Sequence, residues 1–167
     1  MKTGIFVSFF ALWAAFAGLA DVSVTSAGQG SPSESMPILH RWSGDYPVSE
    51  LGQLPEKLRT SPVGYLADAE TFASVWRAFR PDEKLPVVDF KQNLVIFSRN
   101  TDFYNRTSIG MVKLTDGVLE IMAMETMSAL PITDRVAMAL AVIPRNGVCF
   151  IRAGQDSIPV NTGDQAR

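Results

Sequence analysis

Two side chains of this sequence could support nucleophilic catalysis, which needs a nucleophile, a base and a group that orients the base. The chain has one cysteine, Cys149, and one histidine, His40. Cys149 lies in an apolar run at residues 147–151, a setting typical of an inert, buried cysteine. A serine nucleophile would need the same histidine, and the sequence has no nucleophile-elbow motif. We therefore expect a protein that is not an enzyme, with a hydrolase that uses His40 as an alternative hypothesis.

Methionine sulfur offers a different chemistry. Met122, Met124 and Met127 are closely spaced. In a strand Met122 and Met124 would share a face, with Met111 on the neighbouring arm. Thioethers are soft ligands that select Cu(I), so a Cu(I)-binding protein is a second alternative. However, five of the seven methionines lie between residues 111 and 138, where we predict core strands, and this favours methionines that fill the core.

Other metal and cofactor motifs are absent from the sequence. It contains no phosphate loop and no dinucleotide-binding fingerprint, and one cysteine with one histidine is too few for a zinc site. We therefore expect no cofactor.

The segment between residues 99 and 106 combines cationic and aromatic side chains between two predicted strands. Arg99, Phe103, Tyr104 and Arg106 are of types that contribute to binding hot spots in protein interfaces. A loop that joins two strands has a rigid base and an accessible tip. We predict that these four residues bind a partner; the alternative is a hairpin loop whose aromatic rings pack onto the edge of the domain.

The first residues of the chain have the layout of a secretory signal. A basic start is followed by an almost wholly apolar run at residues 5–17 and by Gly-Leu-Ala at residues 18–20. We expect residues 1–20 to be a signal peptide, with a second candidate cut after Ala27. The protein would then be exported to the periplasm or the extracellular space. No later segment approaches the length of this apolar run, so we expect no membrane insertion after the signal is removed.

Composition limits the class of partner. The chain carries 15 Lys and Arg against 17 Asp and Glu, and no basic stripe or block of like charges appears. Nucleic acid is therefore not an expected partner. One cysteine cannot form an internal disulfide, so the folded domain must rely on packing.

The chain divides into segments of different character. Residues 21–37 are rich in Ser, Gly and Pro and predict a flexible leader. Residues 38–158 are long enough for a single globular domain. Residues 159–167 are mostly polar and predict a disordered tail.

The clearest element is a helix at residues 69–80. Asp68 has the position of an N-cap residue, and Pro81 ends the helix. Four apolar side chains recur at the spacing of one helical face: Phe72, Val75, Trp76 and Phe79. We expect this aromatic stripe to face the core.

Strand signals dominate the rest of the domain. Asp116-Gly117 and Asn146-Gly147 are tight-turn dipeptides that predict antiparallel hairpins. Residues 136–143 alternate bulky side chains with alanine, which predicts a strand whose alanine face lets a helix pack closely. Because short turns join antiparallel strands, we predict an α+β fold. It would be a curved antiparallel sheet of about five or six strands with one main helix, at about residues 69–80, packed on it.

Part of the chain resembles a known family. A helix with Phe72 and Trp76 is followed by Pro-Val-Val-Asp-Phe at residues 86–90 and by an apolar strand at residues 94–97. This order is similar to that of the C-terminal domain of PrcB-type proteins, which are exported bacterial proteins named after a protease-complex subunit that binds its partner protease. The resemblance implies an exported domain that binds a protein. We therefore predict a non-enzymatic accessory protein that binds another envelope or secreted protein.

Overall fold

A computed structural model describes residues 33–100, 106–126 and 133–161 of the chain. In these ranges the chain forms one α-helix, α1 (Ala69–Phe79), and two short 3-10 helices, Val48–Gln53 and Glu56–Leu58. No helix of these ranges is both long enough and apolar enough to span a membrane. The strands, in chain order, are β1 (Glu34–Ser35), β2 (His40–Pro47), β3 (Val63–Leu66), β4 (Asn93–Asn100), β5 (Thr107–Thr115), β6 (Val118–Glu125), β7 (Arg135–Pro144), β8 (Phe150–Ala153) and β9 (Asp156–Pro159).

These strands form two sheets, whereas the sequence predicted a single sheet of five or six strands. The five-stranded sheet has the order β1-β5-β6-β8-β9, and the four-stranded sheet has the order β2-β7-β4-β3. Strands β6 and β8 pair in parallel, and the other pairs in the two sheets are antiparallel. The predicted combination of mainly antiparallel strands with one main helix is confirmed, and the predicted number of sheets is wrong.

Helix α1 forms where the sequence predicted it. Asp68 caps the helix, because its carboxylate accepts the Thr71 N–H at 2.8 Å and the Thr71 hydroxyl at 2.9 Å. Phe72 and Trp76 are each 1% exposed, so the aromatic stripe faces the core as predicted. The Trp76 ring meets the ring of Trp42 on β2 edge-on, with 5.1 Å between their centroids. The helix therefore packs on the four-stranded sheet.

Strand β7 is buried on both of its faces. Directly paired residues of neighbouring strands share a face, and Leu140 pairs with Trp42, so the bulky row of β7 faces α1. On the other face, Ala141 pairs with Arg41, whose Nη1 donates to the Ile109 carbonyl of β5 at 3.5 Å. The alanine row therefore faces the five-stranded sheet. The prediction that a helix packs on the alanines is wrong, because a second sheet lies there.

The ordered domain extends beyond both of its predicted ends. Strand β1 falls within the predicted leader at residues 21–37, yet it pairs with β5, and Met36 beside it is 8% exposed. At the other end, the Tyr65 hydroxyl donates to the Pro159 carbonyl at 2.9 Å and accepts the Asn161 N–H at 3.0 Å. These contacts join both ends to the sheets.

The two predicted hairpins have different outcomes. Asp116 and Gly117 both have positive φ, 50° and 79°, and they join β5 to β6 in the predicted tight turn. The second predicted hairpin is wrong, because β7 and β8 lie in different sheets. The Gly117 carbonyl accepts the N–H of Cys149 at 2.8 Å and of Phe150 at 3.0 Å, which holds the start of β8 beside β6.

Candidate functional site

The two residues considered for nucleophilic catalysis belong to different sheets. His40 is in the four-stranded sheet, and Cys149 directly precedes a strand of the five-stranded sheet. His40 begins β2, is exposed, and stacks on the ring of Trp42 with 6.0 Å between centroids. Cys149 lies just before β8 and is exposed, so the expectation of a buried cysteine is wrong. The preceding residue, Val148, is the one that is buried, at 2% exposure. In the part of the chain that the structure describes, no group of three His, Cys, Asp or Glu side chains could hold a metal ion.

Arg99, predicted to bind a partner, lies inside the domain. It is 2% exposed and pairs with Met138 on the face of the sheet turned toward α1. Its Nε donates to the Ser61 carbonyl at 2.8 Å and its Nη2 donates to the Arg59 carbonyl. Among the described residues its Nη1 has no hydrogen-bond partner. Burial lowers the pKa of Arg99. The guanidinium is thus engaged with the backbone and is not presented to a partner.

The other residues predicted to bind a partner have different positions. Arg106 precedes β5 and is exposed, and its carbonyl accepts the Thr126 N–H at 3.2 Å. Phe103 and Tyr104 lie outside the described residues, as does Met127 of the candidate metal ligands. The contacts expected of these three side chains stay predictions.

Three methionines form an exposed group on the five-stranded sheet. Met111 of β5 pairs directly with Met122 of β6, and Met124 follows two residues later on the same face of β6. Their exposed fractions are 44%, 48% and 66%, in that order. We call these three residues the methionine face. The prediction that they fill the core is wrong, because they lie on the side of the hairpin turned away from the four-stranded sheet.

A β-bulge at Gly110 orients the methionine face. Residues two apart in a regular strand share a face, yet Ile109 is 1% exposed and Met111 is 44% exposed. The pairing with β6 shifts between these two positions, which turns Met111 outward while Ile109 stays in the core. A Cβ atom at Gly110 would lie 3.6 Å from Cε of Met124. Met124 therefore lies over the bulge, toward the strand that carries Met111.

Charged side chains border the methionine face toward the hairpin turn. Lys113 pairs with Glu120 across β5 and β6. Glu120 also forms an ion pair with Arg152 of β8, with 2.9 Å between Oε1 and Nε. These two side chains are 46% and 49% exposed, so the pair contributes little to stability. Its effect is to give the apolar group a polar border that carries both signs of charge.

The sequence predicts that Met111 lies on the strand beside Met122, but the predicted metal ligands do not include it. The sequence feature that predicts the position of Met111 is the turn at Asp116-Gly117. If residues are paired outward from this two-residue turn, Met111 lies opposite Met122. The bulge at Gly110 has a weaker signal, a glycine within a strand pattern.

Comparisons with known proteins add no constraint on this site. The chain matches no family model, no curated protein and no solved structure. The functional assignment therefore rests on the sequence and on the geometry of the described residues.

Proposed function

We propose that this protein is an exported, non-enzymatic accessory protein that binds another envelope or secreted protein through its methionine face. The observation that carries this proposal is the exposure of three adjacent, large apolar side chains on the hairpin face opposite the core. Contiguous apolar surface is unfavourable in water and is typical of interaction sites. Methionine suits such a surface because its flexible, polarisable side chain adapts to the shape of a partner.

The charged border supports a protein partner. Protein interfaces combine an apolar centre with a polar, solvent-accessible rim. Here Lys113, Glu120 and Arg152 lie beside the apolar group and carry both signs of charge. Charges at a rim mainly affect the rate of association and the choice of partner. We therefore expect substitutions on the methionine face itself to weaken partner binding. We expect the dependence of binding on salt to come from these border residues.

The loop between β4 and β5 belongs to the same proposal. Strand β4 ends at Asn100, whose Nδ2 donates to Oε2 of Glu125 at 3.0 Å. Glu125 follows Met124 in β6, but its side chain points to the opposite face, toward the four-stranded sheet. The loop therefore begins near the end of β6, on the other side of the hairpin from the methionine face. Phe103 and Tyr104 stay predicted partner-binding residues in this proposal.

Two features of the sequence support export and the class of partner. The signal-like layout of residues 1–20 supports export to the periplasm or the extracellular space. The resemblance of residues 72–97 to the C-terminal domain of PrcB-type proteins supports a protein as the partner.

Affinity capture from the native envelope tests the proposal. Met122→Lys places a charge at the centre of the methionine face, where a bound partner would have to desolvate it. We expect this variant to lose a protein that the unchanged chain recovers. Val87→Lys is the matched control, because Val87 is 96% exposed in the segment between α1 and β4 and gains the same charge elsewhere. Circular dichroism checks the fold of both variants.

The comparison of Met122→Lys with Val87→Lys has two informative outcomes. Loss of one specific protein with Met122→Lys, and its retention with Val87→Lys, supports the proposal. Equal recovery with both variants shows that the methionine face is not the binding surface. The double change of Phe103 and Tyr104 to alanine then measures the share of the loop, and unchanged recovery would remove the loop from the proposal.

A further inference from the structure

The sulfur atoms of the methionine face have a chemistry that its apolar area does not explain. Thioether sulfur is a soft, uncharged ligand that prefers Cu(I) to harder ions such as Mg²⁺ and Ca²⁺. Three thioethers lie on one exposed face, and the paired strands set the spacing of their backbones. We propose that Met111, Met122 and Met124 together bind one Cu(I) ion.

The pairing of β5 with β6 brings the first two ligands together. Met111 and Met122 are directly opposed, and the Cβ atoms of opposed residues lie about 4.5–5.5 Å apart. Each methionine side chain has three rotatable bonds beyond Cα, so its sulfur can turn toward a shared ion without backbone movement. Both side chains are about half exposed and have room to turn.

The bulge brings in the third ligand. Met124 is two residues beyond Met122 on the same face of β6, and its side chain leans over Gly110. Cγ and Cε of Met124 lie 3.9 Å and 3.6 Å from the position that a Gly110 Cβ would occupy. This contact places the end of the Met124 side chain beside Gly110, the residue that precedes Met111. A regular strand would have placed Ile109 and Met111 on one face, so the bulge is what exposes Met111 on the face of Met122 and Met124.

The ligand set predicts how binding depends on pH. Cysteine and histidine must lose a proton to bind a metal, so sites built on them weaken in acid. A thioether carries no proton in the accessible pH range. Copper held by the methionine face should therefore bind equally well in mildly acidic and neutral solution. Copper held by cysteine or histidine ligands in general should bind more weakly in the acidic solution.

A Cu(I) competition titration tests the site. The purified full chain is titrated without oxygen, with ascorbate as reductant, against a chromophoric Cu(I) chelator. The Cys149→Ser background is used so that the thiol does not contribute. We expect one Cu(I) per chain, with the same affinity at about pH 5.5 and about pH 7.5. Replacing Met111, Met122 and Met124 together by leucine removes the sulfur and keeps apolar side chains of similar size, and should weaken binding by at least about tenfold.

Two single variants serve as controls for the triple variant. Met138→Leu removes a methionine that is 0% exposed on β7, and it should leave the Cu(I) affinity unchanged. Met124→Leu alone removes the most exposed ligand and should cause a partial loss, which serves if the triple variant folds poorly. X-ray absorption should show a first shell of sulfur alone.

Two outcomes would overturn the site. One is Cu(I) binding in the triple variant as tight as in the parent, and the other is a first shell of nitrogen or oxygen. The titration needs no partner protein. A failure of the chain to bind Cu(I) and a failure to capture a partner are therefore independent results.

Discussion

We expect Gly64→Ala to strain the core between β3 and β4. Gly64 pairs directly with Phe97, on the face of the four-stranded sheet turned toward α1. A Cβ atom at this position would lie 2.6 Å from Cζ of Phe97, 2.7 Å from its Cε1 and 3.2 Å from Cδ2 of Leu58. Non-bonded carbon atoms prefer about 3.5–4.0 Å, so the ring would have to move by about 1 Å. Phe97 is 0% exposed, and its neighbours would have to move with it.

The size of the effect follows from two opposing contributions. Forcing an extra methyl group into a packed core costs about 1–3 kcal/mol, and a clash with a buried ring belongs at the upper end of that range. Alanine also restricts the unfolded chain more than glycine does, which stabilises the protein by about 0.4–1 kcal/mol. We therefore expect Gly64→Ala to lower the free energy of unfolding by about 2 kcal/mol. Urea unfolding measures this as a lower midpoint at an unchanged slope.

Two further variants separate strain from a general effect of glycine replacement. Gly52, in the first 3-10 helix, has nothing within 4 Å of its Cβ position, so Gly52→Ala should leave stability unchanged or slightly raised. Phe97→Leu removes the atoms that clash. The double variant Gly64→Ala with Phe97→Leu should therefore lose less stability than the sum of the single changes, by at least about 0.5 kcal/mol. Strict additivity, or an equal loss from both glycine variants, would refute the reasoning.

Three other measurements follow from the structure. Trp76→Ala should lower the free energy of unfolding by about 3–5 kcal/mol, because the indole is buried in the aromatic stripe, and an unchanged urea midpoint would contradict this. Burial, together with the nearby Glu50 carboxylate, raises the pKa of Tyr46 to about 12. The neutral phenol therefore stabilises the fold fully below about pH 10, and this contribution is lost as the pH rises through about 12. The free energy of unfolding should fall less steeply between about pH 10 and about pH 12 in Tyr46→Phe than in the unchanged protein. Because Cys149 is exposed, Cys149→Ser should change the free energy of unfolding by less than about 0.5 kcal/mol. An aromatic disulfide reagent should modify the Cys149 thiol in the native protein, and a thiol that does not react would contradict its exposure.

Helix α1 was predictable because its signals act within a few residues. Asp68 accepts hydrogen bonds from a residue three positions away, and Pro81 cannot continue the helix. The aromatic stripe then needs only the helical period to share one face. The structure ends the helix at Phe79, one residue before the predicted end.

The division into two sheets was not predictable from such local signals. A tight-turn dipeptide sets the shape of a turn, but it does not determine which strand the chain pairs with afterwards. After β7 the chain crosses to the other sheet, held there by contacts that are distant in sequence. Arg145 Nη1 donates to the Phe90 carbonyl at 2.8 Å and its Nη2 to the Asn161 carbonyl at 3.0 Å. The Gly117 carbonyl then holds the start of β8 beside β6.

The exposure of the methionine face follows from the number of layers in the domain. The inner residues of β5 and β6, such as Ile109 and Leu119, are buried on the side of the hairpin that meets the alanine row of β7. The alternate residues of the same strands must then point the other way, where the described residues provide no further layer. The sequence pattern placed Met122 and Met124 together, and the turn places Met111 opposite them, but alternation alone cannot say which face a second layer will cover. The same pairing that buries one side of this hairpin therefore leaves three sulfur atoms on the other, available to a protein partner or to a soft metal ion.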